Sequence, residues 1–254
     1  MAAGMLALAL PLTAAAQSNA VYVSHTRVTD ALAHGAVLLT GPHVKVAGAH
    51  HDTAVTLTVE RDTTILFVTD GAATLVAGAP GAVTVQPMAK GDVAVIAAWA
   101  PRSLKDLSPS ISYYQVTVPV VGPAQAAAVT FVDHARVEPT LRKAGPIADG
   151  PNLKVSGGYR TGPYAPADYR PDVEVHTAEA DLFYVIDGEA TLITGGTVIG
   201  ARPTSPGQIR GATVEGGDTH HLTKGDVMWV PAGVPHWFPE IPTPLSYLLV
   251  KISQ

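Results

Sequence analysis

None of the 254 residues is cysteine, which excludes disulfides, thiolate metal sites and cysteine nucleophiles together. The redox compartment stays undecided, because a chain without thiols is compatible with any. Charge is also scarce. Only 15% of residues are Asp, Glu, Lys or Arg, the formal net charge is −5, and there is no basic run. A nucleic-acid surface therefore has no electrostatic footprint here. Long hydrophobic runs are missing too, so no membrane span is expected. Three common catalytic signatures do not occur: a Gly-x-Ser-x-Gly elbow, a Gly-Lys-Ser/Thr phosphate loop and a dinucleotide fingerprint. What is present points elsewhere. Hydrophobic residues make up 47%, with 24 glycines and 21 prolines, a composition that predicts a packed core, many turns and short strands.

The first segment, Ala2 to Ala16, is apolar apart from Gly4 and Thr13 and ends Ala14-Ala15-Ala16 before Gln17. An apolar stretch closed by small residues resembles a secretory signal with its cleavage site. Residues 1–16 are thus expected to be a signal peptide, and the mature protein to be periplasmic or secreted.

The remainder is duplicated. Tyr22-Val23-Ser24-His25 is echoed by Phe131-Val132-Asp133-His134, and Val44-Lys45-Val46 by Leu153-Lys154-Val155. Ile65 to Leu75, with Asp70-Gly71, matches Leu182 to Leu192, with Asp187-Gly188. Lys90-Gly91-Asp92-Val93 matches Lys224-Gly225-Asp226-Val227, and Ile111-Ser112-Tyr113 matches Leu245-Ser246-Tyr247. Five matches in one order mark an internal repeat. The copies are expected at 20–118 and 129–254, joined by a linker at 119–128. The second copy carries two insertions, between Tyr159 and Glu174 and between Gly195 and Leu222. The first holds Tyr164 and Tyr169. Both are read as loops, the usual place for binding or for tolerated decoration. Within each copy, Val/Ile/Leu/Thr runs punctuated by Gly, Pro and Asp predict an all-β barrel or sandwich. One short helix opens each copy, at about Val28 to His34 and Val137 to Lys143, with Pro139 shortening or delaying the second.

The second copy holds the chemistry. Gly225, Pro231, Gly233 and His236 are spaced as Gly, five residues, Pro, any residue, Gly, two residues, His. Upstream, Gly188 is preceded at the proper spacing by Asp181, then His176, then Glu174, with Asp168 further back. These spacings resemble the two motifs of the cupins, small β-barrels that commonly hold one metal ion. The resemblance implies two tandem cupin-type jelly-roll barrels, the second with a metal held by His176, Asp181, His236 and Glu174. Glu174 stands where the family usually has histidine, and Asp168 where it has glycine.

Strand periodicity agrees, since Glu174 and His176 share one face and Asp181, Phe183 and Val185 another. Lone charges in an apolar barrel would be costly without a compensating cation. The donor set suits a single divalent Fe, Mn, Zn or Ni ion. Glu174 has a second reading as a general base, and Tyr184, Trp237 and Tyr247 are read as cavity walls or as core packing. His220 and His221 read as surface residues or as outer partners of the ligands, and His50 and His51 as surface or rim residues.

In the first copy Leu57, Val59, Thr64 and Arg102 stand at the positions of Glu174, His176, Asp181 and His236. That set cannot hold a cation, so the first barrel is expected to be structural. The implied function is an exported metal-dependent enzyme acting on a small oxygen-rich organic molecule, with oxidoreductase, dioxygenase-like chemistry foremost. The alternative is a non-catalytic metal- or small-molecule-binding module. A homodimer stays open.

Overall fold

The structure, a computed structural model, describes residues 19–121, 128–163 and 171–254. The expected signal segment, the middle of the 119–128 linker, and Tyr164, Asp168 and Tyr169 lie outside those residues.

Antiparallel strands dominate, arranged among the described residues in a nine-stranded sheet, a ten-stranded sheet and a small two-stranded ribbon of Thr197–Ile199 with Thr213–Glu215. The two large sheets form the barrels, so the fold class is all-β with two tandem barrels. The repeat seen in the sequence is reproduced as strand register. Lys45 pairs with Thr117 in the first copy, as Lys154 pairs with Lys251 in the second. Ile65 lies between Val95 and Val116, as Leu182 lies between Trp229 and Val250.

A long central strand organises each barrel, Thr63–Ala77 in the first and Glu179–Thr194 in the second. Both bend at the glycine of the repeated Asp-Gly pair. Gly71 and Gly188 have φ of 73° and 84°, and a Cβ there would lie 2.0 Å from the Ser110 carbonyl oxygen and 1.9 Å from that of Pro244. Only glycine fits.

Alternation along these strands sorts side chains to two destinations. In the second copy Phe183 and Val185 point into the barrel, with Leu192, Met228, Val230 and Phe238. Leu182 joins a core shared with the first copy, and Tyr184 packs against it. Tyr184 stacks on Tyr114 with ring centroids 5.0 Å apart and meets the edge of Phe67 at 6.0 Å. Tyr184 is therefore part of the seam between barrels and not a cavity wall, because its parity on the strand is opposite to that of Asp181.

The two copies also exchange parts. Val21–Val23 pairs with Val227–Val230 of the second barrel, and Val129–Val132 pairs with Val93–Ile96 of the first. The repeated Lys-Gly-Asp turns lock this exchange. Buried Asp226 accepts hydrogen bonds from the Thr223 N–H in its own turn (2.7 Å) and from the His25 N–H at the start of the first copy's helix (2.5 Å). Asp92 does the same reciprocally, accepting from the Ala89 N–H (2.7 Å) and the His134 N–H (2.7 Å). A carboxylate at a helix start satisfies orphan donors and meets the positive end of the helix dipole.

The helices run His25–His34 and His134–Lys143, each starting three residues earlier than expected. The second runs through Pro139 without delay. Its N-terminal donors are already satisfied by Asp92 and by Asp133, whose side chain accepts from the Ala135 N–H at 2.7 Å. Neither described helix is long and apolar enough to cross a membrane. The second insertion is not loop but strand. Arg202–Ser205 pairs with Gln208–Gly211, and the latter pairs with Val173–His176. Pro206-Gly207 makes the tight turn between them.

Replacing Asp226 with Asn keeps the size of the side chain but turns one of its two acceptor oxygens, which take the Thr223 and His25 N–H groups, into an amide donor. Asp226→Asn is expected to cost about 2–3 kcal/mol and lower Tm by roughly 5–10 °C, measured by thermal unfolding. An unchanged Tm would contradict the interlock.

Candidate metal centre

Three strands bring the predicted residues together. Val173–His176 supplies Glu174 and His176, the long central strand supplies Asp181, and His236 opens the strand His236–Ser253. Glu174 and His236 are direct cross-strand partners. The rigid Pro231 to Pro235 corner sets the last strand's start, and the Gly233 N–H donates to the His176 carbonyl at 2.8 Å. The corner is thus tied to the strand that carries the other imidazole.

Four ligand-type atoms face one another. Asp181 Oδ2 lies 3.4 Å from His176 Nε2 and 3.5 Å from His236 Nε2. Glu174 Oε2 lies 3.6 Å from each of the same two nitrogens. Donors about 2.1 Å from a common ion stand about 3.0–3.4 Å apart at octahedral or tetrahedral angles, so the four imidazole–carboxylate spacings are close to those around one shared ion. His176, Asp181 and His236 retain only 6%, 3% and 2% of their exposure. Glu174 keeps 27% of its side-chain exposure, but its Oε2 is turned toward the two imidazoles.

Each of the four has a second partner that aims it. Gln208 Oε1 lies 2.6 Å from His176 Nδ1, which donates to it and leaves Nε2 with a free lone pair. His236 Nδ1 makes a longer contact to the Val234 carbonyl at 3.4 Å. Its Nε2 is buried with no hydrogen-bond partner among the described residues. Asp181 Oδ1 accepts from Lys251 Nζ at 2.6 Å, freeing Oδ2 for the centre. Glu174 Oε1 faces Arg160 at 3.8 Å and Arg210 at 3.9 Å. Imidazole nitrogens with inward lone pairs and carboxylates with one oxygen inward suit a divalent cation. Glu174, His176 and His236 form a compact group able to hold an ion, and Asp181 adds a fourth oxygen on the same two imidazoles.

Without an ion, the two carboxylates and the imidazoles act on one another directly. Burial works against charging His176, but Asp181 and Glu174 outweigh it and push its pKa up to about 9. Burial likewise opposes ionising Glu174 and Asp181, yet the neighbouring imidazoles hold both below the usual carboxylate range.

The site opens into a cavity of about 300 Å³ lined by Glu174, His176 and Asp181 of the centre together with Arg160, Gln208, Arg210, Tyr247 and Lys251. Sequence reading missed Gln208, Arg210, Arg160 and Lys251. The first two lie in an insertion without a counterpart. Arg160 was visible in principle, because it corresponds by repeat to His51. Of the aromatic residues expected as walls, Tyr247 is one, and it meets Phe183 edge-on at 5.2 Å. Trp237 faces the other way and donates from Nε1 to the Pro171 carbonyl at 2.9 Å. His220 and His221 stay off the centre, contacting Thr194 at 3.1 Å and Glu189 at 3.4 Å.

The first barrel differs from expectation at Val59. His51, read as a surface or rim residue, is half-buried and lines the barrel's cavity, where its Nε2 meets the Tyr113 hydroxyl at 3.1 Å. Val59 does not occupy the His176 position but is 41% exposed. The segment after Leu57 leaves the strand, and Thr58 and Glu60 line the barrel's cavity instead. A second group of ligand-type side chains, Asp92, Asp133 and His134, lies at the helix start and is used there in capping.

Comparison with known proteins identifies the fold. No protein-family model matches the chain, and no curated protein matches it significantly in sequence. Solved structures do. A cupin 2 conserved barrel domain protein from Leptotrichia buccalis superposes with a TM-score of 0.55 at 12% identity, over 96% of this chain and 93% of its own. A variant of salicylate 1,2-dioxygenase from Pseudoaminobacter salicylatoxidans gives 0.64 at 10% identity, over 96% and 86%. Oxalate decarboxylase of Bacillus subtilis, a protein with Mn(II) centres, gives 0.54 at 12% identity, over 83% and 71%. The fold is the cupin fold, in its two-barrel form.

The raised pKa of His176 has a consequence for the ion-free protein. A folded value of about 9 against 6.5 for a free imidazole means that the protonated ring stabilises the fold below about pH 6.5. That contribution is lost as pH rises toward 9. In chelator-treated protein, Tm should fall across this window, and it should fall less in His176→Gln. Identical pH profiles for the two would contradict the assignment.

Proposed function

We propose that the second barrel holds a single divalent first-row metal ion through Glu174, His176, Asp181 and His236, and acts on a small organic acid. The observation that carries this reading is the geometry of the four inward-facing donors, together with the partnerless His236 Nε2. When bound, such an ion supplies Lewis acidity and open coordination positions for a chelating oxygen ligand. The two-barrel neighbours that act on oxalate and salicylate support an acid of this kind, though at an identity that speaks only for fold.

Charge in the cavity favours an anion. Glu174, Glu179 and Asp181 are balanced by Arg160, Arg210 and Lys251, so a divalent cation leaves the site net positive. Arg160, whose guanidinium lies 4.3 Å over the Phe238 ring, and Arg210 are placed to receive a substrate carboxylate. Lys251 fixes Asp181. Tyr247 is fully enclosed, and burial raises its pKa, so its hydroxyl remains a hydrogen-bond donor. Glu174 is better suited to ligation than to proton abstraction, since a carboxylate held so far below its usual pKa is a weak base. We also propose export, which the Ala-rich segment at 1–16 supports: the mature protein would begin near Gln17 and reside in the periplasm or medium.

Elemental analysis of purified protein is expected to find a single metal per chain, and His236→Ala to lose at least most of it. Metal-loaded protein should then consume a small carboxylic or phenolic acid, with or without uptake of O2. Arg160→Met should raise KM more than it lowers kcat. Full metal content in His236→Ala would sink the site, while metal without turnover of any such acid would reduce the protein to a binding module. N-terminal sequencing of protein produced from the full reading frame tests export, an unprocessed cytoplasmic product being the contrary result.

A further inference from the structure

The first barrel is not an inert copy. Arg102 stands in the repeat where the second barrel has His236, and it is only 3% exposed. Its Nε, Nη1 and Nη2 all lack a hydrogen-bond partner among the described residues. A guanidinium cannot shed its proton to escape this cost, and a buried charge without a partner is strongly destabilising. Arg102 lines a cavity of about 220 Å³ together with His51, Thr64, Glu60, Tyr113 and Gln115. Thr64, at the position of Asp181, is 1% exposed, and its hydroxyl is also without a partner. Two unanswered donors, one of them charged, thus face the same enclosed space.

We propose that this cavity is a binding site for a small planar carboxylate, held by the Arg102 guanidinium and the Thr64 hydroxyl. A carboxylate matches the planar fork of arginine with two parallel hydrogen bonds and leaves a lone pair for a hydroxyl donor. The volume corresponds to roughly seven waters at about 30 Å³ each, enough for an acid of a few carbon atoms. Other groups at the wall are compatible. Burial pushes the Tyr113 hydroxyl up to about 12, so it stays a donor, and burial lowers the pKa of His51, whose ring contacts that hydroxyl. Glu60 is the one carboxylate in the lining among the described residues, and it makes no ion pair with Arg102 within 4.0 Å. The duplication has inverted the chemistry of the site: donors to a cation in one barrel are replaced by donors to an anion in the other.

Acetate and oxalate serve as probes, with chloride at matched ionic strength as the control. Chelator-treated protein should show a saturable rise in Tm with at least one of the two acids, and that rise should persist in His236→Ala, whose change lies in the other barrel. Thr64→Val is expected to weaken the apparent affinity about tenfold, and Arg102→Met to abolish it. Glu60→Gln, which removes the nearest negative charge, should tighten it. Should Arg102→Met fail to fold, Arg102→Lys should retain binding but weaken it, since a point charge replaces the fork. No saturable stabilisation by either acid, an equal effect of chloride, or a rise that survives Arg102→Met or vanishes in His236→Ala would overturn the proposal.

Discussion

A charge taken out of water must find a counter-charge or a set of hydrogen bonds, and the interior of this protein is arranged around that constraint. In the second barrel, Asp181 is pinned between Lys251 and two imidazoles, and Glu174 between two arginines and the same imidazoles. The outer oxygen of Asp181 is answered by Lys251 at 2.6 Å, and that of Glu174 faces two guanidinium groups at 3.8 and 3.9 Å. The inner oxygens and the inward imidazole nitrogens are answered by one another only at 3.4–3.6 Å, too far for a hydrogen bond. One small cation resolves all four. The barrel wall adds apolar Phe183 and Leu249 and the cationic side chains of Arg160, Arg210 and Lys251.

The same constraint explains the way the copies are joined. Asp92 and Asp226 are among the most buried charged residues of the chain, with 3% and 0% exposure, and both are the acid of a Lys-Gly-Asp turn. Each satisfies its own turn and the first N–H of a helix that belongs to the other copy. Strand exchange places those helix starts within reach. A stiff seam follows, filled by Tyr114, Tyr184, Phe67 and the valines of both sheets. The metal-binding geometry of one barrel therefore rests on a sheet edge completed by the other.

Much of this was legible in the chain. His176, Asp181 and His236 follow from motif spacing, and the inward face they share follows from strand parity. The repeat was visible too, and its offsets reappear as strand register. Other features were hidden for physical reasons. Gln208 and Arg210 reach the site because an insertion rich in Gly, Pro and Thr folds back as a hairpin onto Val173–His176, and no periodicity announces that pairing. Lys251 lies 70 residues from Asp181, and only sheet topology brings them together. The reciprocal capping by Asp92 and Asp226 was read as mere turn chemistry, since a sequence shows the turn but not the foreign helix docked on it. Val59 was misplaced because the strand ends after Leu57, which breaks the register inferred from the second copy.

The central claim is that four side chains of the second barrel converge on one metal ion. Crystals grown with Mn(II) and measured for anomalous scattering test it most directly. A single strong peak within bonding distance of the inward atoms of Glu174, His176, Asp181 and His236 is the result expected. A difference map without density there, or with its only peak at Asp92, Asp133 and His134, would contradict it.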